Sequence, residues 1–269
     1  MPPSPRIRIG VAGALGRMGR AVAEVVDARD DCEVSALFDR PESAGQRLGE
    51  RVLVTPGEAV AVCDVIIDFT SPEASVTLTR ACMTRDGPAL VIGSTGFSDE
   101  QVAAVDEAAL QIAVVRSGNF SLGVNLLLGL VEQAARTLRA ADWDIEVFEA
   151  HHRRKVDAPS GTARMLGEAA ARGRGISLAG ASERGRDGVT GPRGPGAIGF
   201  SVMRAGGIVG EHAVVLAAED EILTLSHSAR NRSLFARGAV EAAVWAVGRA
   251  PGLYDMQDVL GLAGGAADD

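Results

Sequence analysis

Two adjacent histidines, His151 and His152, are followed at once by Arg153, Arg154 and the only lysine of the chain, Lys155. Imidazole exchanges protons near neutral pH, and an ammonium group does so when its pKa is lowered, whereas a guanidinium effectively cannot. Lysine and arginine together number 27, and every one except Lys155 is arginine. If a coding bias turns lysine into arginine wherever charge alone matters, this lone lysine marks a place where a cation able to give up its proton is wanted; the plain alternative is chance. The two histidines and Lys155 are therefore candidates for proton transfer. Adjacent residues on a strand point to opposite faces, and no Cys, Asp or Glu completes a zinc-ligand spacing, so a metal site is not expected. The run continues through Val156-Asp157-Ala158-Pro159 to Ser160-Gly161-Thr162. These last residues open an expected helix, whose N-terminal N–H groups suit a substrate carboxylate. The plain alternative is a solvated basic loop ahead of a capped helix.

A second constellation lies near the start of the chain. Gly13-Ala14-Leu15-Gly16-Arg17-Met18-Gly19 follows an apolar strand and leads into a helix. Glycines at such a turn let the backbone approach a pyrophosphate, and the helix N-terminus favours its charge. Leu15 interrupts the common G-x-G-x-x-G spacing, and a tight βα turn that binds nothing would carry similar glycines. Asp39 closes the next strand about 20 residues later, where a dinucleotide fold places a carboxylate for ribose hydroxyls. Arg40 follows it and could pair with the 2′-phosphate of NADP, so the two point to NAD and NADP respectively. Gly93-Ser94-Thr95-Gly96 and Ser117-Gly118-Asn119-Phe120 follow two further apolar strands. Small residues there permit close approach to a nicotinamide, and Asn119 could bond an amide or ribose.

The elements that must position these groups divide the chain. Strands are expected over 6–12, 33–38, 64–69, 89–92 and 112–115, with a helix over 16–27. Ser71-Pro72 and Ser98-Asp99-Glu100-Gln101 read as helix starts, the second in capping-box form. This βαβ alternation predicts a parallel sheet flanked by helices. Beyond it the pattern predicts a helix over 124–138, a strand over 143–150 and a helix over 160–172. A Gly- and Arg-rich stretch over 173–196 reads as a mobile loop. Three strands over 198–204, 211–218 and 222–229 read as an antiparallel meander, and a helix over 233–248 follows. The expectation is an α/β chain: a Rossmann-like dinucleotide domain over 1–122, and an α+β substrate-binding and oligomerisation domain with a mixed or antiparallel sheet over 123–232. The segment 233–269 is expected to pack back on the first domain. His212 and His227 fall in expected strands and read as structural.

Bulk properties narrow the function. At 269 residues and 46% hydrophobic, the chain can bury a sizeable core. A net charge of −8 argues against nucleic acid as the main partner. The three cysteines are odd in number and unpatterned, which fits a reducing cytoplasm better than a disulfide framework. The start Met1-Pro2-Pro3-Ser4-Pro5 lacks the apolar core of a signal peptide, and no run has the length of a membrane span.

The run from His151 to Ala163 resembles the signature of the 4-hydroxy-tetrahydrodipicolinate reductase (dihydrodipicolinate reductase) family. The resemblance extends to the Gly13 loop, to Gly93-Ser94-Thr95-Gly96-Phe97, to Asn119-Phe120-Ser121, to the stretch around Gly206 and His212, and to Pro251-Gly252-Leu253-Tyr254-Asp255-Met256. It implies an NADH- or NADPH-dependent oxidoreductase acting on a small cyclic dicarboxylate in the diaminopimelate route of lysine biosynthesis. It also implies a cytoplasmic homotetramer without nucleic-acid or membrane partners. By resemblance His151 donates and accepts the proton, Lys155 is a second proton donor, and His152, Gly161 and Thr162 contact substrate. Gly13, Ala14, Leu15, Gly16, Arg17, Met18, Asp39, Arg40, Gly93, Ser94, Thr95, Ser117, Gly118, Asn119 and Phe120 would hold the cofactor. Leu15, Gly207 and the run His227-Ser228-Ala229-Arg230-Asn231-Arg232 depart from the family pattern; the first bears on pyrophosphate contacts and the last on interface and hinge details rather than on the chemistry. Two alternatives share the overall build: a nicotinamide-dependent amino-acid dehydrogenase, and a non-catalytic NAD(P)-sensing protein.

Overall fold

The computed structural model describes residues 5–84 and 87–262. The Met-Pro-Pro-Ser start and the end of the 233–269 segment lie outside the described residues. The chain divides into two units, one running to Leu122 and resuming at Ser233, the other Gly123–Arg232.

The first unit is built on β1 (Ile7–Ala12), α1 (Arg17–Asp27), β2 (Cys32–Phe38), a small hairpin of β3 (Arg47–Leu48) and β4 (Arg51–Val52), α2 (Pro56–Val62), β5 (Val65–Asp68), α3 (Pro72–Cys82), β6 (Ala89–Ile92), α4 (Asp99–Ala109) and β7 (Ala113–Arg116). The central strands β5 and β6 are continuous runs of apolar residues closed by Asp68 and Ile92 and are buried throughout, the pattern of a parallel sheet covered on both faces. Side-chain caps start the helices where the sequence marks them: the hydroxyls of Ser71 and Ser98 accept N–H bonds from Ala74 and Gln101, and Gln101 returns the bond to complete a capping box. The six strands run in the order β13-β7-β6-β5-β1-β2, all parallel. The chain moves outward from β1 to β2 and then crosses back to β5. Their junction is the switch point at whose carboxyl edge ligands bind in open α/β sheets.

The second unit holds α5 (Leu122–Thr137), β8 (Asp144–His151), α6 (Gly161–Gly173), α7 (Leu178–Ala181), β9 (Ser182–Glu183), β10 (Ile198–Arg204), β11 (Gly210–Ala217) and β12 (Ile222–Ala229). Ile145, Val147, Ile198, Phe200, Val214 and Leu216 of its sheet pack on Val124, Leu128 and Val131 of α5 and on Leu166 and Ala170 of α6. The sheet order is β12-β11-β8-β10-β9. This corrects two expectations. The run 198–204 does not join a meander: β10 pairs parallel with β8, which lies between it and β11, and only β11–β12 form the expected hairpin. The helix α6 between β8 and β10 is the crossover that parallel neighbours require. The stretch 173–196 is also not an unstructured loop throughout, since it carries α7 and the short strand β9 on the edge of β10.

The chain then returns to the first unit with α8 (Ser233–Ala246), β13 (Gly252–Tyr254) and α9 (Met256–Val259). β13 extends the parallel sheet beside β7, and α8 buries Ala236, Ala239, Val240, Ala242 and Ala243 in its core. Among the described residues, no helix is long and apolar enough to cross a membrane.

Candidate active site

On the first unit, four of the expected segments lie at one edge of the sheet, because parallel strands end together. The Gly13 loop follows β1, Asp39-Arg40 follows β2, Gly93-Ser94-Thr95 follows β6 and Ser117-Gly118-Asn119-Phe120 follows β7. Gly13 takes φ +68°, a left-handed conformation that suits glycine. A Cβ on Gly19 would stand 2.2 Å from the Gly13 carbonyl oxygen, so only glycine lets α1 fold this closely against the loop. Helices α2, α3, α4 and α6 all have side-chain caps, whereas α1 starts at Gly16 with none. Its first-turn N–H groups are thus left without a side-chain acceptor, which fits a phosphate-bearing ligand.

The Asp39 carboxylate accepts the Leu15 N–H at 3.1 Å through Oδ2 and the Arg40 N–H at 2.9 Å through Oδ1. It therefore clamps the glycine loop to the end of β2 and retains lone pairs for ribose hydroxyls. The Arg40 side chain is exposed and forms no salt bridge among the described residues.

The strand end that the sequence reading left out is that of β5. Asp68 is fully buried; Thr70 donates to its Oδ1 from both N–H and hydroxyl, and Ser75 Oγ lies 2.5 Å from its Oδ2. Burial pushes this carboxyl above its usual range, against those bonds. Ser75 Oγ also meets Ser94 Oγ at 2.6 Å, so the Ser94 hydroxyl is turned inward and ties β6 to β5. Next to it, the Phe69 ring occupies the space a Cβ on Gly93 would need and meets Phe120 edge to face at 5.7 Å. Asn119 is buried as well, with Oδ1 accepting the Ser121 N–H at 2.8 Å. That oxygen shapes its own loop instead of reaching outward.

On the second unit, His151 closes β8 and its Nδ1 lies 2.6 Å from Oε2 of Glu149, two residues earlier on the same strand face. Glu149 is fully buried. Arg204, at the end of β10, grips it with both guanidinium nitrogens at 2.7 Å, and the Ser160 N–H donates at 2.9 Å. Burial alone would raise the Glu149 carboxyl, but the bonds from Arg204, His151 and Ser160 outweigh it and hold the group below its usual range. His212 lies edge to face with His151 at 5.1 Å. Its Nε2 is 3.2 Å from Ser160 Oγ, which also caps α6 through Ala163. Burial, helped by the nearby His151, pushes His212 down to about 4, so it is neutral at pH 7.

His152 follows the strand end, half-buried, and burial with the nearby Arg154 and Arg232 holds it below its usual range. Lys155 turns back so that its N–H meets the His152 carbonyl at 3.0 Å, and its Nζ pairs with Asp157 Oδ1 at 2.8 Å. Arg153 and Arg154 are exposed. The Ala158–Pro159 peptide is cis, and Ser160 then starts α6, with Gly161 exposed and open space where its Cβ would stand. His151, His152, Lys155 and the start of α6 lie on one short segment of chain. Glu149, Arg204 and Asp157 are the partners that sequence reasoning missed. The separation of two residues on one strand could have indicated Glu149. Nothing local could have indicated Arg204.

Residues 7–120 match the family model described as dihydrodipicolinate reductase, N-terminus, and residues 123–260 match the model for its C-terminus. The chain belongs to the dihydrodipicolinate reductase family. It is 64% identical over 259 residues to the 4-hydroxy-tetrahydrodipicolinate reductase of Caulobacter vibrioides, covering 96% of this chain and 99% of the relative. The reductase of Dinoroseobacter shibae is 52% identical over 266 residues, covering 94% and 98%. A dihydrodipicolinate reductase from Paenisporosarcina sp. TG-14, solved with dipicolinate bound, shares the fold at a TM-score of 0.78 and 24% identity over 94% of this chain and 99% of that one. A diaminopimelate dehydrogenase of C. glutamicum shares it more distantly, at a TM-score of 0.57 and 15% identity over 94% and 93%. Membership of the reductase family therefore separates this chain from the amino-acid dehydrogenases of similar build.

Proposed function

We infer that the chain reduces 4-hydroxy-tetrahydrodipicolinate to tetrahydrodipicolinate with loss of water, drawing the reducing equivalent from NADH or NADPH. The 64% identity to a curated reductase over nearly the whole chain carries this reading. The first unit provides the dinucleotide site. The loop from Gly13 through Ala14, Leu15, Gly16 and Arg17 to Met18 takes the pyrophosphate, Asp39 and Arg40 face the adenosine ribose, and the ends of β6 and β7 at Gly93, Ser94, Thr95, Ser117, Gly118, Asn119 and Phe120 take the nicotinamide side. A dinucleotide held there would supply the hydride for ring C4 of the dehydrated substrate.

The second unit manages the substrate and its proton. The N–H groups of Gly161 and Thr162 hold a substrate carboxylate, and His152 contacts the ring substituents. His151 gives and takes the proton through Nε2, since Nδ1 is engaged by Glu149. Lys155 is the second donor, and Asp157 keeps its ammonium oriented. An intact donor pair with a carboxylate cradle is more than a nucleotide sensor needs. We also assign the chain to the cytoplasm and to the diaminopimelate–lysine route. Exposed apolar side chains on the second unit's sheet, among them Met203 and Ile222, favour a homotetramer built through it.

Substrate generated freshly from pyruvate and aspartate semialdehyde is expected to drive oxidation of NADH or NADPH, followed at the nicotinamide absorbance. Absence of turnover with both, in protein that binds both, would return the chain to the sensor reading. Arg40 tests cofactor choice. A charge-assisted bond to the 2′-phosphate is worth roughly 1.5–3 kcal/mol, so Arg40→Ala is expected to raise the KM for NADPH about 10- to 100-fold. The KM for NADH should stay within about twofold, because NADH lacks that phosphate. Equal KM values before and after would make Arg40 a solvated surface charge.

A further inference from the structure

We infer that Glu149 and Arg204 together fix the tautomer and the charge balance of the His151 imidazole, which makes both of them positioning residues for proton transfer. The inference rests on the acid–base role assigned to His151.

Glu149 sits in β8 with no exposed surface, and its two oxygens receive four donors. Oε1 accepts from Arg204 Nη2 at 2.7 Å and from the Ser160 N–H at 2.9 Å. Oε2 faces Arg204 Nη1 at 2.7 Å and His151 Nδ1 at 2.6 Å. A guanidinium does not deprotonate at the pH of the cell, so a carboxylate gripped by both of its forks stays ionised. An ionised carboxylate carries no proton to donate. The proton in the Glu149–His151 bond therefore belongs to Nδ1, and Nε2 is the nitrogen that gains and loses one. That edge of the ring is kept open by Gly210, where even a Cβ would come within 3.2 Å of Nε2.

Arg204 does more than hold the shape. A buried carboxylate facing an imidazole alone would strongly favour imidazolium and keep the proton on Nε2. The guanidinium places a positive charge on the same carboxylate and offsets that bias, so the ring can pass its proton on and recover it. The other groups packed near His151 do not replace this balance. His212 from β11 lies edge to face with the ring and is neutral at pH 7, and His227 stands opposite His212 on β12. On the segment that follows, Lys155 is paired with Asp157, while Arg153 and Arg154 are exposed. Arg204 is the only cation bonded to Glu149 among the described residues. Its strand partner in the β10–β8 register is His151 itself, so the pairing of two parallel strands sets the distance.

The test uses the full-length protein labelled with 15N-histidine. The wild-type His151 ring should show the Nδ1–H tautomer. A resting Nε2–H tautomer overturns the inference whether or not any variant folds. In Glu149→Gln the amide oxygen keeps the Ser160 N–H and Arg204 Nη2, which turns its NH2 toward His151 Nδ1 and gives up the bond from Arg204 Nη1. The tautomer should then reverse, and kcat should fall about 10²- to 10⁴-fold while the dinucleotide KM changes little. An unchanged tautomer with unchanged kcat in a folded protein would leave Glu149 a packing residue. In Arg204→Gln the His151 limb of the kcat–pH profile should move to higher pH by about one unit or more, and Arg204→Lys should restore much of it by returning the charge. A profile that does not move would refute charge balance. Failure of the underlying reading is distinct: His151→Gln retaining full kcat would remove the acid–base role and leave the tautomer result standing.

Discussion

Replacing Lys155 by alanine is expected to lower kcat about 10²- to 10⁴-fold, the usual contribution of a positioned proton donor, while the Kd for the dinucleotide stays within a few-fold. Lys155 is on the segment that follows β8, and the glycine loop proposed for the dinucleotide belongs to the other unit. A loss confined to kcat and kcat/KM marks an interaction made in the transition state, whereas a loss confined to KM would mark uniform binding. Stopped-flow reduction with limiting substrate, beside equilibrium dinucleotide binding, separates the two.

The substitution that discriminates is Lys155→Arg. Arginine keeps the positive charge and can keep the bond to Asp157, which Lys155 now makes at 2.8 Å. The pairing holds the Asp157 carboxyl below its usual range, mainly through the bond from Lys155, and a guanidinium would do the same. It would not donate a proton at neutral pH. If Lys155 acts as a donor, Lys155→Arg should lose nearly as much kcat as Lys155→Ala. If its charge alone matters, Lys155→Arg should keep full activity, and the lone lysine of an arginine-rich chain would then be an accident of composition.

What could be read before folding follows from the range of each interaction. The Ser71, Ser98 and Ser160 caps are local, since each hydroxyl bonds an N–H three residues on, and all three form where their spacing places them. The segments 13–19, 39–40, 93–95 and 117–120 converge for a reason equally simple: they end parallel strands. The position of β10 is of another kind. Three strand-like runs with short turns suggest sequential neighbours, but the β8–α6–β10 order makes a crossover, and β8 takes the place between β10 and β11. Arg204 reaches Glu149 only through that pairing, across 55 residues of chain. For the same reason Asp68 passed unnoticed, as an ordinary strand-ending acid whose partners Ser75 and Ser94 come from a helix and another strand. The two-residue strand β9 is too short to show a period.

Gly238→Ala should cost about 2–4 kcal/mol of stability, against the usual sign of a Gly-to-Ala change in a helix. Alanine in a helix interior is normally favoured over glycine by about 1 kcal/mol. At Gly238, however, a Cβ would stand 1.6 Å from the carbonyl oxygen of Phe120 and 2.8 Å from its carbon. Backbone cannot rotate away as the tip of a side chain can, so either α8 lifts off the sheet or the Phe120 segment moves. The first uncovers a helix whose Ala236, Ala239, Val240, Ala242 and Ala243 are buried. The second pulls on Phe120, whose ring packs edge to face against Phe69 over Gly93. Both movements loosen the strand ends assigned to the nicotinamide. The melting temperature should fall by roughly 5–15 °C, at about 2–4 °C per kcal/mol for a unit of this size. The dinucleotide KM should rise with it. The contrast is Gly57→Ala in α2, where nothing lies within 4 Å of the Cβ position, and there the melting temperature should hold or rise. If both variants melt with the wild type, α8 does not depend on its contact with the Phe120 backbone, and the loop assigned to the nicotinamide side is held from within by Ser117, Asn119 and Ser121.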